Sequence, residues 1–90
     1  MVLETPSEMA VSAARRFKEY RKRNRVTLKE LSERSGVPYS TIRRFESCGE
    51  ISFVSLVKLA STLRLDDQID ALFAEQVPTT MEEVLRANRR

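Results

Sequence analysis

Residues 27–46 read TLKELSERSGVPYSTIRRFE, and the pattern within them decides the fold. Leu28, Leu31, Val37, Ile42 and Phe45 fall at spacings that bring them into one small core if the stretch forms two short helices joined by a tight turn. Tyr39, Ser40, Thr41, Arg43 and Arg44 are then left on the opposite, outward side of the second helix. Thr27 is a good N-cap, and Glu30 completes a capping box, so the first of the two helices starts at about residue 28. Gly36 supplies the left-handed residue that closes it, and Ser32 is small enough to let the second helix cross close above. Pro38 lacks a donor and has a φ near the helical value, which suits the first turn of a helix 38–47 that Gly49 ends.

The flanks extend the helical pattern. Thr5-Pro6-Ser7-Glu8 is a second helix-start signature and predicts a first helix over about 6–24, or from near Ser12. Its expected buried stripe is Met9, Ala13, Phe17 and Tyr20, with Arg15, Lys18, Lys22 and Arg23 on the other sides. Asn24 and Arg25 form the turn that follows, with Asn24 suited to the left-handed conformation, and Val26 plugs the core. Beyond Gly49, Ile51 packs and Ser52 caps a helix over 53–64, with Phe53 or Val54, Leu56, Val57, Leu59, Ala60 and Leu63 inward. Asp66 is the expected N-cap of a fifth helix ending near Glu75, in which Ile69, Leu72 and Phe73 exceed what the domain needs to cover its own base. Val77-Pro78 breaks the chain, and Thr80-Met81-Glu82-Glu83 opens a short amphipathic segment carrying Met81, Val84 and Leu85. At about ten residues it is too short to persist alone, so it docks on this domain, docks on another chain, or frays. The expected architecture is all-α, a compact five-helix domain over residues 1–76 with an extension over 77–90.

Composition narrows the function. Ninety residues with 41% hydrophobic content allow one modest core. One cysteine and no histidine leave no internal disulfide, no usual zinc set and no histidine-based acid–base chemistry. With no Gly-rich phosphate loop either, neither an enzyme nor a cofactor is expected. Without a run of 18 apolar residues or a secretory hydrophobic region, the sequence predicts a cytoplasmic protein with no membrane partner. The net charge is +3, but residues 15–46 hold 11 Lys/Arg against 4 Asp/Glu. A basic half with an acidic remainder, Asp66, Asp67, Asp70, Glu75, Glu82 and Glu83, is the footprint of a chain that neutralises phosphates on one side.

The stretch 27–46 resembles the lambda-repressor and Cro-like (XRE-type) class of helix-turn-helix transcriptional regulators. The resemblance rests on the small-x-x-x-Gly turn from Ser32 to Gly36, on Val37 after it, and on STIRRFE as a polar recognition helix ending in Glu. Arg21 in the first helix, and Leu56, Leu59, Ala60 and Leu63 in the helix after the motif, extend it over roughly Ala13 to Phe73. It departs at Leu28, where the family often has a Gln that supports a phosphate contact, and at Ser35, where the family has an apolar residue.

The resemblance implies binding to double-stranded DNA, with the recognition helix in the major groove. Tyr39, Ser40 and Thr41 would reach base edges, Arg44 would bond a guanine, and Arg43 would read bases or hold phosphate. Arg25, Thr27 and Lys29, with the N–H groups that open helix 28–35, and Ser47 on the other side would hold phosphates. It further implies an ion pair between Arg21 and Glu46, and a homodimer through Ile69, Leu72 and Phe73 on an inverted-repeat operator. Two readings stay open: a dimeric repressor, and the antitoxin of a toxin–antitoxin pair whose residues 77–90 engage a second protein.

Overall fold

The way each helix starts and stops explains how the motif is held. A computed structural model describes residues 3–75, which form α1 (Pro6–Arg23), α2 (Leu28–Ser35), α3 (Tyr39–Cys48), α4 (Phe53–Thr62) and α5 (Asp66–Asp70). The 77–90 extension and its capping box lie outside the described residues. Thr5 caps α1 and Thr27 caps α2, each hydroxyl accepting from the N–H of the Glu three residues on while that carboxylate accepts from the Thr N–H. These backbone donors, and then the Thr side chains, hold the Glu8 and Glu30 carboxyls below the ordinary carboxylate range. Ser52 caps α4 through the Ser55 N–H at 3.1 Å. Pro38, expected inside α3, stands instead at its N-cap with ψ 142° and brings no side-chain cap, so the helix begins at Tyr39.

Two kinds of helix ending occur. After α2 and α3 the left-handed residue is a glycine, Gly36 at φ 78° and Gly49 at φ 79°. After α1 and α4 it is an arginine, Arg25 at φ 57° and Arg64 at φ 62°. Asn24, expected to be left-handed, keeps φ −88° and donates its side-chain amide to the Tyr20 carbonyl. Both arginine endings are Schellman motifs. Val26 N–H reaches back to Arg21 O and Arg25 N–H to Lys22 O, while Leu65 N–H reaches Ala60 O and Arg64 N–H reaches Ser61 O. In each, the residue after the arginine, Val26 or Leu65, packs against the core, and that burial offsets the strain of a side chain at positive φ.

The core joins Ala14 and Phe17 of α1, Leu31 and Val37 of the motif, Ile42 and Phe45 of α3, and Leu59 and Leu63 of α4. Phe17 and Phe45 meet edge to face with centroids 5.4 Å apart. The buried stripe of α1 therefore runs through Ala14, Phe17 and Arg21, whereas Met9 and Ala13 are exposed, contrary to the expected stripe. The turn at Gly49 rests against Ala10 on this side of α1, and Arg21 is buried there by its pair with Glu46. In α4, Leu56, Leu59, Ala60 and Leu63 turn inward, and neither Phe53 nor Val54 does, being 56% and 65% exposed. The fifth helix is shorter than expected: Asp70 ends it and residues 71–75 continue as turns. Leu65, not Asp66, holds its N-cap position, because the Schellman turn that buries Leu65 leads directly into the helix.

The close approach at the motif turn also differs from expectation. A Cβ on Gly36 would meet nothing within 4 Å, so only its positive φ demands glycine there. Ser32 contributes through its hydroxyl, which donates to the Val37 carbonyl at 2.7 Å and pins the turn.

Candidate nucleic-acid interface

α3 buries Ile42 and Phe45 and turns the rest outward: Tyr39, Ser40, Arg43 and Arg44 are exposed and Thr41 is half-buried. With no side-chain cap at Pro38, the N–H groups of Tyr39 and Ser40 are orphan donors at the end of α3 that carries these polar side chains.

One side chain sets the position of this helix. Arg21 is buried in α1, and its guanidinium grips both Glu46 oxygens, Nε at 2.7 Å and Nη2 at 2.8 Å, while Nη1 donates to the Val26 carbonyl at 2.8 Å. The two side chains are only 7% and 4% exposed, so this is a desolvated bidentate pair. It ties α1, the turn before α2 and the end of α3 to one point.

At the start of α2 the capping box uses the N–H groups of Thr27 and Glu30 and the Thr27 hydroxyl as an acceptor, which leaves that hydroxyl's proton free to donate. The N–H groups of Leu28 and Lys29 remain orphaned, with exposed Lys29 and Arg25 beside them in the chain, which is the arrangement that attracts an anionic oxygen. Leu28 packs against the core, so the position at which the resembled family often carries Gln serves packing here. Ser47, exposed near the other end of α3, donates its hydroxyl to Arg44 O at 3.1 Å.

Sequence reasoning missed one neighbour. Glu50 accepts from Arg44 Nη2 at 2.9 Å, both side chains being about two-thirds exposed at 64% and 67%. That hydrogen bond, and then the opposite charge, raises Arg44 further and lowers Glu50 from the ordinary value. The available signal was Gly49: a left-handed residue ending α3 turns the chain back, so Glu50 returns over the last turn. Ile69, Leu72 and Phe73 lie elsewhere, on α5 and the turns after it; α5 packs on α4, while α3 packs on α1 and α2. Leu72 is 43% and Phe73 91% exposed, and Ile69 is half-buried.

Compared with models of protein families, residues 17–68, more than half of the chain, match the one described as helix-turn-helix. The chain belongs to the helix-turn-helix family. It is of the lambda-repressor/Cro-like, XRE type, a DNA-binding regulatory domain. No curated protein and no solved structure gave a match to it. The matched helix-turn-helix span starts midway along α1 and ends within α5, so residues 3–16 and 69–75 flank it. Among the described residues no helix is long and apolar enough to cross a membrane.

Proposed function

We propose that this helix-turn-helix regulator is a cytoplasmic homodimer of the repressor type that binds an inverted-repeat operator in double-stranded DNA. The observation that carries the reading is the outward polar face of α3, held against α1 by the buried Arg21–Glu46 pair. On that face Tyr39, Ser40 and Thr41 reach base edges, Arg44 bonds guanine O6 and N7, and Arg43 serves an adjacent base or phosphate. Arg25, Lys29 and the start of α2 at Thr27 hold phosphates on one side and Ser47 on the other, which sets register without reading sequence. One three-turn helix touches only a few base pairs. Two copies joined through Ile69, Leu72 and Phe73 place two such helices about 34 Å apart in successive major grooves.

A second reading, an antitoxin, keeps the same DNA face and assigns residues 77–90 to a different polypeptide. The mass of the complex recovered from its own cells separates the two. The DNA reading is tested by Arg44→Ala and Lys29→Ala on operator and random duplexes at several salt concentrations. Arg44→Ala should weaken operator binding by about 1–3 kcal/mol and leave random binding nearly unchanged. Lys29→Ala should weaken both and lower the salt slope by about one. Equal losses on both duplexes for Arg44→Ala would remove it from the base readers.

A further inference from the structure

The parts of the chain that flank the matched span meet in one place. Ala13 and Arg16 before it and Ile69 and Leu72 after it line a groove of about 730 Å³ between α1, α4 and α5, together with Phe53 and Leu56. Phe53 and Leu72 stand there 56% and 43% exposed. The wall is largely apolar, and Arg16, Glu19 and Arg23 along α1 edge it with a net positive charge; neither arginine has an ion-pair partner among the described residues.

The surface on α5 is too small to hold two copies together unaided. Phe73 brings about 200 Å² and the partly covered Leu72 and Ile69 bring less, whereas a stable interface covers about 800 Å² on each partner. The groove supplies adjoining area, because Ile69 and Leu72 belong both to it and to the proposed dimer face. The chain also carries a filler: Met81, Val84 and Leu85 fall at i, i+3 and i+4 behind a Thr80–Glu83 capping pattern, with Glu82 beside them to meet the arginines. A helix this short persists only when docked. Residues 71–75 are turns, and six residues lead from Glu75 to Met81, a reach of about 20 Å when extended, within which a chain leaving beside a two-fold axis at α5 reaches a neighbouring groove. A segment folded into its own groove would cover Ile69 and Leu72 and remove them from the dimer face. Exchange lets those residues serve both.

We propose that the groove between α1, α4 and α5 receives the apolar face of residues 81–85 from a second copy of this chain, the two segments being exchanged across the dimer axis. This rests on the dimer reading above. The test uses full-length protein carrying Cys48→Ser, which keeps a donor for the Arg44 carbonyl. Chains bearing Phe53→Cys are mixed with chains of different mass bearing Val84→Cys and oxidised, and a chain bearing both substitutions is oxidised alone. Exchange gives a cross-linked species of mixed mass and, for the double variant, a disulfide-linked dimer. A double variant that oxidises to a monomer without free thiols overturns exchange, as does the absence of a mixed cross-link in protein that sediments as a dimer, and in both cases the dimer itself stands. A wild-type chain that sediments as a monomer at micromolar concentration overturns both. In parallel, Val84→Glu with Leu85→Glu should weaken the dimer by at least about 100-fold, since two exchanged segments lose four buried aliphatic side chains, with helical content falling by no more than the undocked segments contribute. Unchanged dimer affinity also overturns exchange.

Discussion

A Cβ placed on Gly49 would lie 2.8 Å from the carbonyl carbon of Ala10 and 2.9 Å from its oxygen, so the end of the recognition helix rests directly on the backbone of α1. The contact is backbone against backbone, and nothing on either side can swing away.

Gly49→Ala therefore combines strain at positive φ with a clash that only a shift of α3 relieves. The first effect costs about 1–2 kcal/mol and the overpacking about 1–3 kcal/mol more. Gly36→Ala should show only the first, since its Cβ would enter open space. Urea denaturation of the two variants checks the order; equal losses would mean that the α1–α3 contact is looser than described.

Breaking the buried pair from one side leaves a charge without its partner. Glu46→Ala should destabilise by about 3–5 kcal/mol, whereas Arg21→Met combined with Glu46→Leu should cost much less than the two single changes added together. The same denaturation series decides it, and additive losses would show that the two side chains act independently.

Arg64 occupies a left-handed position that glycine adopts without strain, and its Schellman turn lies after α4, apart from the recognition helix. Arg64→Gly should raise stability by about 0.5–1 kcal/mol, with operator affinity unchanged. A lower melting temperature would indicate that the arginine side chain contributes more than its backbone conformation costs.

Glu50 holds Arg44 at the place where a guanine would otherwise compete for it. An exposed pair of this kind is worth up to about 1 kcal/mol, so Glu50→Gln should strengthen operator binding, in which Arg44 must leave the pair, by up to about fivefold and random binding by less. Titrations of both duplexes measure the ratio; if it does not change, the pair plays no part in discrimination.

The two capping boxes predict an acid limb in the stability curve. Glu8 and Glu30 have folded-state pKa values below the ordinary 4.5, so the unfolded chain takes up protons first as pH falls. Their stabilisation is complete above about 4.5 and declines as pH drops through the lower folded values. Glu8→Gln with Glu30→Gln should flatten that decline by lowering neutral stability towards the level reached on the acid limb, because Gln closes the capping box without the charge. Thermal melts between pH 3 and 7, roughly the window set by these groups, show whether the slope changes.

Where a residue type has one dominant use, the sequence was legible. Thr27 and Glu30 marked the start of α2, Ser52 the start of α4, and Gly36 and Gly49 the ends of α2 and α3. The endings at Arg25 and Arg64 were not legible, because arginine has no local preference for positive φ and is placed there by the burial of Val26 and Leu65. Helical periodicity placed Phe17 correctly but chose Met9 and Ala13, since it counts apolar residues and passes over Arg21, whose pair with Glu46 sets which side of α1 is buried. Phe53 or Val54 was read inward on apolarity alone, but an apolar side chain in the first turn of a helix need not face the core. The Arg44–Glu50 contact follows from the way the left-handed Gly49 turns the chain back, a signal that apolar spacing does not carry.

The Arg21 guanidinium joins α1 by three hydrogen bonds to the turn before α2 and to the end of α3, and the two candidate DNA-contacting surfaces, the start of α2 and the outward side of α3, are spaced by those bonds. That spacing exists before any duplex arrives. Association then has little backbone entropy to lose within each domain, and the ordering falls on the tips of Lys29, Arg43 and Arg44. Adaptation to a new operator can accordingly proceed by exchanging those tips one at a time, on a frame whose dimensions are unaffected by what the exposed positions carry.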